Sequence, residues 1–160
     1  MTALKIVKMH DDVILPTKKN PTDSGFDLYA YSFKMCYTEH HELDCHGVQH
    51  IALAPNDRIL IGTGIKATVG KGFEIQIRPR SGLALKKGLS IINTPGTIDE
   101  AYRDEIGIIL INLSKQFVSL KLGERIAQLV VCPVILPEIE IVSSLDGDNR
   151  GGGFGHTGTN

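Results

Sequence analysis

Polar and apolar residues alternate most strictly between positions 73 and 78. Phe73, Ile75 and Ile77 share one face there, and Glu74, Gln76 and Arg78 share the other. A period of two belongs to a strand with one face on a core. Shorter runs at 57–61, 64–69 and 116–122 lie between glycines and polar turns and predict further strands. The runs 106–112 and 126–135 are apolar at most positions, which predicts strands covered on both faces. Only 81–87, SGLALKK, suits a short helix. Many short strands with Gly and Pro turns, and no internal repeat, predict an all-β sandwich or barrel.

Composition narrows the function classes. The chain has 160 residues, 42% hydrophobic and 22% charged, with a net charge of -1. That is ordinary globular usage, and it argues against a basic nucleic-acid binder. No stretch reaches the ~20 apolar residues of a membrane span, and the N-terminus carries no charged-then-apolar signal pattern. Cys36, Cys45 and Cys132 are odd in number and irregularly spaced. A disulfide framework is not expected, and a cytoplasmic location is.

Two segments stand apart. Residues 34–50 are polar and hold Cys36, His40, His41, Cys45, His46 and His50. Two Cys and two His make a tetrahedral zinc set, but this spacing matches no known zinc module, and a polar surface hairpin is the more ordinary account. Residues 143–160 contain six glycines and little that could build a core. The expected organisation is one β domain over 1–142, with an insert near 34–50, followed by a flexible glycine-rich arm over 143–160.

Several residues could carry chemistry. Asp99 follows a turn at Pro95–Gly96 and precedes Tyr102. A carboxylate there is a candidate general base, although turn aspartates commonly bond their own backbone. Arg80, Ser81 and Gly82 open the short helix and could cradle a phosphate, or serve as a surface Arg beside a Ser cap. Gln128 lies in an apolar run, where its amide must find partners or orient a water. Asp27 enters a strand after a glycine turn and could hold Mg²⁺ through water. In the tail, Arg150 suits an anion and Phe154 suits stacking on a base.

The order of these segments is more telling than any one of them. DSGFDLYA at 23–30, PRSGLA at 79–84, NTPGTIDEAYR at 93–103, GERIAQ at 123–128 and RGGGFGHTG at 150–158 together resemble the five ordered motifs of trimeric deoxyuridine triphosphatases (dUTPases). The resemblance covers about residues 23–158. It implies a β jelly roll, a homotrimer with active sites shared between subunits, and hydrolysis of dUTP to dUMP and pyrophosphate. That activity would limit uracil incorporation into DNA and supply dUMP for thymidylate synthesis.

By the same resemblance, Asp99 activates the water that attacks the α-phosphorus and Gln128 helps place it. Asp27 holds the cofactor Mg²⁺ through water. Arg80, Ser81 and Gly82 bind phosphates, and Arg150 joins them when the arm closes with Phe154 and Gly155 over the uracil. A hairpin from Ile91 to Tyr102, with Asn93, Thr97 and Ile98, would read the uracil edge, and Gly107 would offer its backbone. Tyr102 would lie under the sugar and leave no room for a 2′-hydroxyl.

Three departures from the family pattern stand out. Asp104 replaces a glycine in the usual Y-R-G-E run. One residue fewer separates Arg150 from Phe154. The segment near 34–50 is longer than usual. Alternatives are a dCTP deaminase of related fold, or a regulatory protein that binds a partner through 34–50.

Overall fold

The computed structural model describes residues 3–149. It contains β1 (Lys5–Lys8), β2 (Gly25–Tyr29), β3 (Ser32–Tyr37), β4 (Glu42–Asp44), β5 (His50–Leu53), β6 (Arg58–Gly62), β7 (Ile65–Thr68) and β8 (Phe73–Arg78). After α1 (Ser81–Lys87) come β9 (Leu89–Ile91), β10 (Gly96–Ile98), β11 (Gly107–Asn112), β12 (Val118–Lys121) and β13 (Arg125–Pro133).

The strands form an all-β jelly roll. One sheet runs β10-β8-β13-β2 and the other β4-β3-β6-β11-β9, with the two-stranded ribbons β1-β7 and β12-β5 beside them. The alternation in β8 works as expected. Ile75 and Ile77 are buried in a core with Phe33, Ile59, Ile61, Ile108 and Leu129, while Gln76 donates to Glu74 at 2.6 Å and Arg78 donates to Gln76 at 3.0 Å on the outer face. Burying each large apolar side chain contributes about 1.5–3 kcal/mol. The polar Asn112 is fully buried yet saturated. It donates to Leu53 O and Gln116 O and accepts from Ser114 N–H and Oγ–H, so its burial carries no unpaired group.

Three features differ from the pattern-based expectations. β11 alternates between fully and half-buried positions instead of being covered on both faces. β13 is the more deeply buried strand, but it ends at Pro133. The segment 91–102 is not a paired hairpin: β9 pairs with β11 and β10 pairs with β8, so the turn between them carries the chain from one sheet to the other.

The insert joins the fold through β3, β4 and β5. Cys36 and Cys45 are buried apolar contributors to the core. His46 pairs with Asp44 at 2.5 Å and His50 bonds Ser119. Among the described residues, no three His, Cys, Asp or Glu side chains converge to hold a metal ion. No helix among them is long and apolar enough to cross a membrane.

Candidate active site

The best-organised polar cluster sits on the outer face of the four-stranded sheet. β13 lies between β2 and β8, and its register sets Gln128 opposite both Asp27 and Arg78. Opposed residues of an antiparallel pair share a face. Arg125 should point the other way, being three residues from Gln128. A bulge between Arg125 and Ala127 removes that parity and returns Arg125 to the face of Asp27.

Asp27 is the hub of the cluster. Its Oδ1 accepts from Arg80 Nε at 2.7 Å and its Oδ2 from Arg125 Nη1 at 3.0 Å. Arg80 also donates to Arg125 O at 3.2 Å. The Asp27 and Arg80 side chains are only 20% and 24% exposed, so this pair is better shielded from water than a surface salt bridge. Two guanidiniums on one carboxylate leave a net positive cluster that suits a polyanion. Gln128 donates Nε2–H to Pro79 O at 2.9 Å, which ties β13 to the residues that open α1. A Cβ on Gly25 would collide with Gln128 Oε1, so glycine is what lets this amide lie flat against β2.

Ser81 and Gly82 begin α1 and are exposed. The cap position belongs to Arg80, in extended conformation and with no side-chain cap bond. The Ser81 hydroxyl is therefore not spent on capping the helix. The helix ends at Gly88, whose φ of 65° is the left-handed conformation that closes a last turn.

The other expected residues gather elsewhere. Thr97 is exposed and Ile98 buried in β10, and Asp99 follows, exposed. Asp99 O accepts Tyr102 N–H at 3.1 Å, which makes a tight turn. Tyr102 donates its phenol to Glu105 O at 2.8 Å. Burial, helped by the charges of Asp104 and Glu105, holds that phenol above its ordinary pKa. Glu105 is the anchor of this loop, because its carboxylate pairs with Lys34 and accepts Gly64 N–H at 2.7 Å. Asp104 needs none of glycine's conformational freedom, since Asn56 is the only non-glycine with positive φ among the described residues. Asn93 is exposed in the turn between the sheets. Gly107 opens β11 opposite Gly62, in the other sheet.

The two groups do not meet within one chain. β10 and β2 are opposite edges of the four-stranded sheet, roughly 14 Å apart at the usual strand spacing. Thr97 lies level with Gln76, whereas Asp27 lies level with Arg78. Asp99 is therefore displaced by about a further 13 Å along the strands. Arg150, Phe154 and Gly155 lie outside the described residues.

Comparison with known proteins decides the family. The dUTPase family model matches residues 36–158. The chain belongs to the dUTPase family. A deoxyuridine 5'-triphosphate nucleotidohydrolase from a Picosynechococcus strain is 43% identical over 157 residues, which cover 98% of this chain and 99% of that one. The fold is similar to a Staphylococcus bacteriophage 80alpha dUTPase solved with dUpNHpp, with a TM-score of 0.77, 21% identity, and coverage of 98% and 99% of the two chains. It is also similar to the phage phi11 dUTPase described with a structural Mg(II) ion, with a TM-score of 0.72, 20% identity, and coverage of 91% and 99%. The protein is thus an enzyme of dUTP hydrolysis, a dUTP diphosphatase, and the deaminase alternative falls away.

Arg125, Lys34 and Glu105 escaped the residue-by-residue reading. Arg125 and Glu105 lie inside or beside quoted motifs, but their partners Asp27 and Lys34 are 98 and 71 residues away in sequence. A charge pattern along the chain does not reveal such pairs. Only the register of β13 against β2, and the packing of the 99–106 loop on β3 and β6, brings them together.

Proposed function

We propose that each active site is built between copies of this chain, with the Asp27 cluster of one copy facing the Asp99 turn of another. In that site a water oxygen attacks the α-phosphorus of dUTP. A P–O bond forms to the water, the α–β bridging bond breaks, and pyrophosphate leaves with the electron pair. Asp99 takes the proton from the attacking water, and Gln128 orients that water against the α-phosphate. Arg80, Arg125, Ser81 and Gly82 bind the phosphates and offset the charge that shifts onto the leaving group. Asn93, Thr97, Ile98 and the backbone of Gly107 frame the uracil. Tyr102, tethered through its phenol, packs under the deoxyribose and excludes a 2′-hydroxyl. Arg150, Phe154 and Gly155 complete the site from the glycine-rich arm.

The separation of Asp99 from Asp27 across opposite edges of one sheet carries this reading. The assembly is a homotrimer. The exposure of Ile135, Leu136, Ile139, Ile141 and Leu145, all five to 74–95%, supports an intersubunit contact, because a lone soluble chain rarely displays such a run.

Mg²⁺ fits the donor chemistry at Asp27 through intervening water. A hard cation accepts carboxylate oxygen and keeps most of its own waters. Held there by Asp27 through water, it would supply positive charge that offsets the charge of the phosphates. Both Asp27 oxygens already accept guanidinium N–H groups, so the site favours a cation that arrives with a polyanion. The expected location of the enzyme is the cytoplasm.

Pyrophosphate release from dUTP, UTP, dTTP and dCTP with Mg²⁺ tests the proposal. The expected result is strong preference for dUTP and near-complete loss in Asp99→Asn. Turnover that survives in Asp99→Asn overturns the assignment of the base.

A further inference from the structure

A pocket of about 290 Å³ opens beside the Asp27 cluster, lined by Thr17, Lys19, Asp23, Ser24, Gly25, Asp27 and Gln128. The segment that carries Lys19 is held in place rather than left as a free loop. Thr17 and Asp27 form a backbone bridge, with Asp27 N–H donating to Thr17 O at 2.7 Å and Thr17 N–H to Asp27 O at 3.3 Å. Thr17 Oγ1 bonds the Tyr29 phenol at 2.7 Å. Beyond Lys19, the Asp23 carboxylate accepts Asn20 N–H at 2.8 Å and the Asn20 amide at 3.2 Å. These bonds fasten the chain on both sides of Lys19, within two residues of a contact to Asp27.

The two adjacent lysines are used differently. Lys18 places Nζ 4.5 Å over the Phe26 ring, a cation–π contact. Lys19 faces the pocket, and among the described residues its ammonium has neither a carboxylate partner nor a hydrogen bond. The nearby acids are already engaged: Asp27 by Arg80 and Arg125, and Asp23 by Asn20. Lys19, Arg80 and Arg125 against Asp23 and Asp27 leave an excess of positive charge that a polyphosphate would balance. A flexible ammonium suits the freely rotating end of a polyphosphate better than it suits a planar group that must be oriented.

We propose that Lys19 binds the terminal phosphates of the nucleotide, the part that leaves as pyrophosphate. The inference rests on the Asp27 cluster being the phosphate side of the site, as proposed above. A contact to phosphate oxygens remote from the reacting bond is made in ground state and transition state alike, so it acts on KM more than on kcat.

The test compares wild type, Lys19→Ala, Lys19→Arg and Lys18→Ala. Each is measured for dUTP turnover, for inhibition by dUMP, and for calorimetric binding of inorganic pyrophosphate with Mg²⁺. Lys19→Ala is expected to raise KM for dUTP and Kd for pyrophosphate by about tenfold. It leaves kcat and dUMP inhibition within about twofold, and Lys19→Arg recovers most of the loss. Lys18→Ala matches wild type throughout. Unchanged pyrophosphate binding in Lys19→Ala overturns the inference, and so does an equal weakening of dUMP, which marks a structural role. A wild-type chain without dUTP turnover overturns the proposed function, while the pyrophosphate comparison still decides Lys19.

Discussion

The Asp27 cluster and the Asp99 turn lie on the same sheet but are built in contrasting ways. Around Asp27, three strands, a bulge and the start of α1 converge, and Asp27, Arg80, Arg125 and Gln128 each have a fixed partner. Around Asp99, the side chain is exposed and the turn is held from behind, through Tyr102, Glu105 and Lys34. The first region is a preassembled, net positive cluster, and the second presents an exposed carboxylate that, among the described residues, does not reach that cluster. On the proposed arrangement, with binding preassembled and the base supplied by another copy, the site becomes active only where two copies meet.

Substitutions can sharpen or break this contrast. Asp99→Asn carries the largest functional effect, a fall in kcat of about 10³-fold, while the melting temperature moves by no more than about 2 °C because the side chain is exposed. Asp27→Asn should differ in kind. It leaves two guanidiniums without their carboxylate, so it lowers stability by about 2 kcal/mol as well as turnover, and nucleotide binding weakens with it. If both variants lose activity with no difference in stability or binding, the contrast is wrong.

Gly25→Ala comes next. Its Cβ displaces Gln128 from Pro79 O, which costs about 1 kcal/mol and roughly tenfold in kcat, read by denaturant melts and steady-state kinetics. Glu105→Gln loosens the anchor behind the Asp99 turn. It should destabilise by about 1 kcal/mol and raise KM for dUTP, with thermal stability reporting the lost Lys34 pair.

The smallest effect lies far from either region. Burial, with added repulsion from Asp57 and Cys45, pushes the Cys36 thiol up to about 11. The folded chain then holds that proton where the unfolded chain has released it. The stabilisation is complete below the ordinary thiol value and is lost as pH rises from about 9 to 11. The free energy of unfolding measured across that window should fall more steeply for wild type than for Cys36→Ala.

What was legible in the sequence was local. The period of two in β8 and the glycine-bounded SGLALKK run gave a strand and a helix whose bounds match the structure. The Asp27 cluster was half legible, because Asp27, Arg80 and Gln128 sit in recognisable motifs but their meeting depends on register. The segment 91–102 misled because a turn between two apolar stretches looks the same whether the strands pair together or join different sheets. In the insert, Cys36 and Cys45 looked like metal ligands because spacing does not show which side of a strand faces the core. Arg125 could not be placed without the bulge, since strict alternation puts it on the wrong face.

The most direct test of the shared site mixes two dead chains. Asp99→Asn and Asp27→Asn subunits, each inactive alone, are co-refolded in equal amounts and assayed for dUTP hydrolysis. If every site joins the Asp27 cluster of one chain to the Asp99 turn of the next, a mixed trimer regains one intact site. Random assembly then restores about a quarter of wild-type activity. A mixture as inactive as its components, with mixed trimers verified, would contradict the account, because it would mean that both residues act within a single chain.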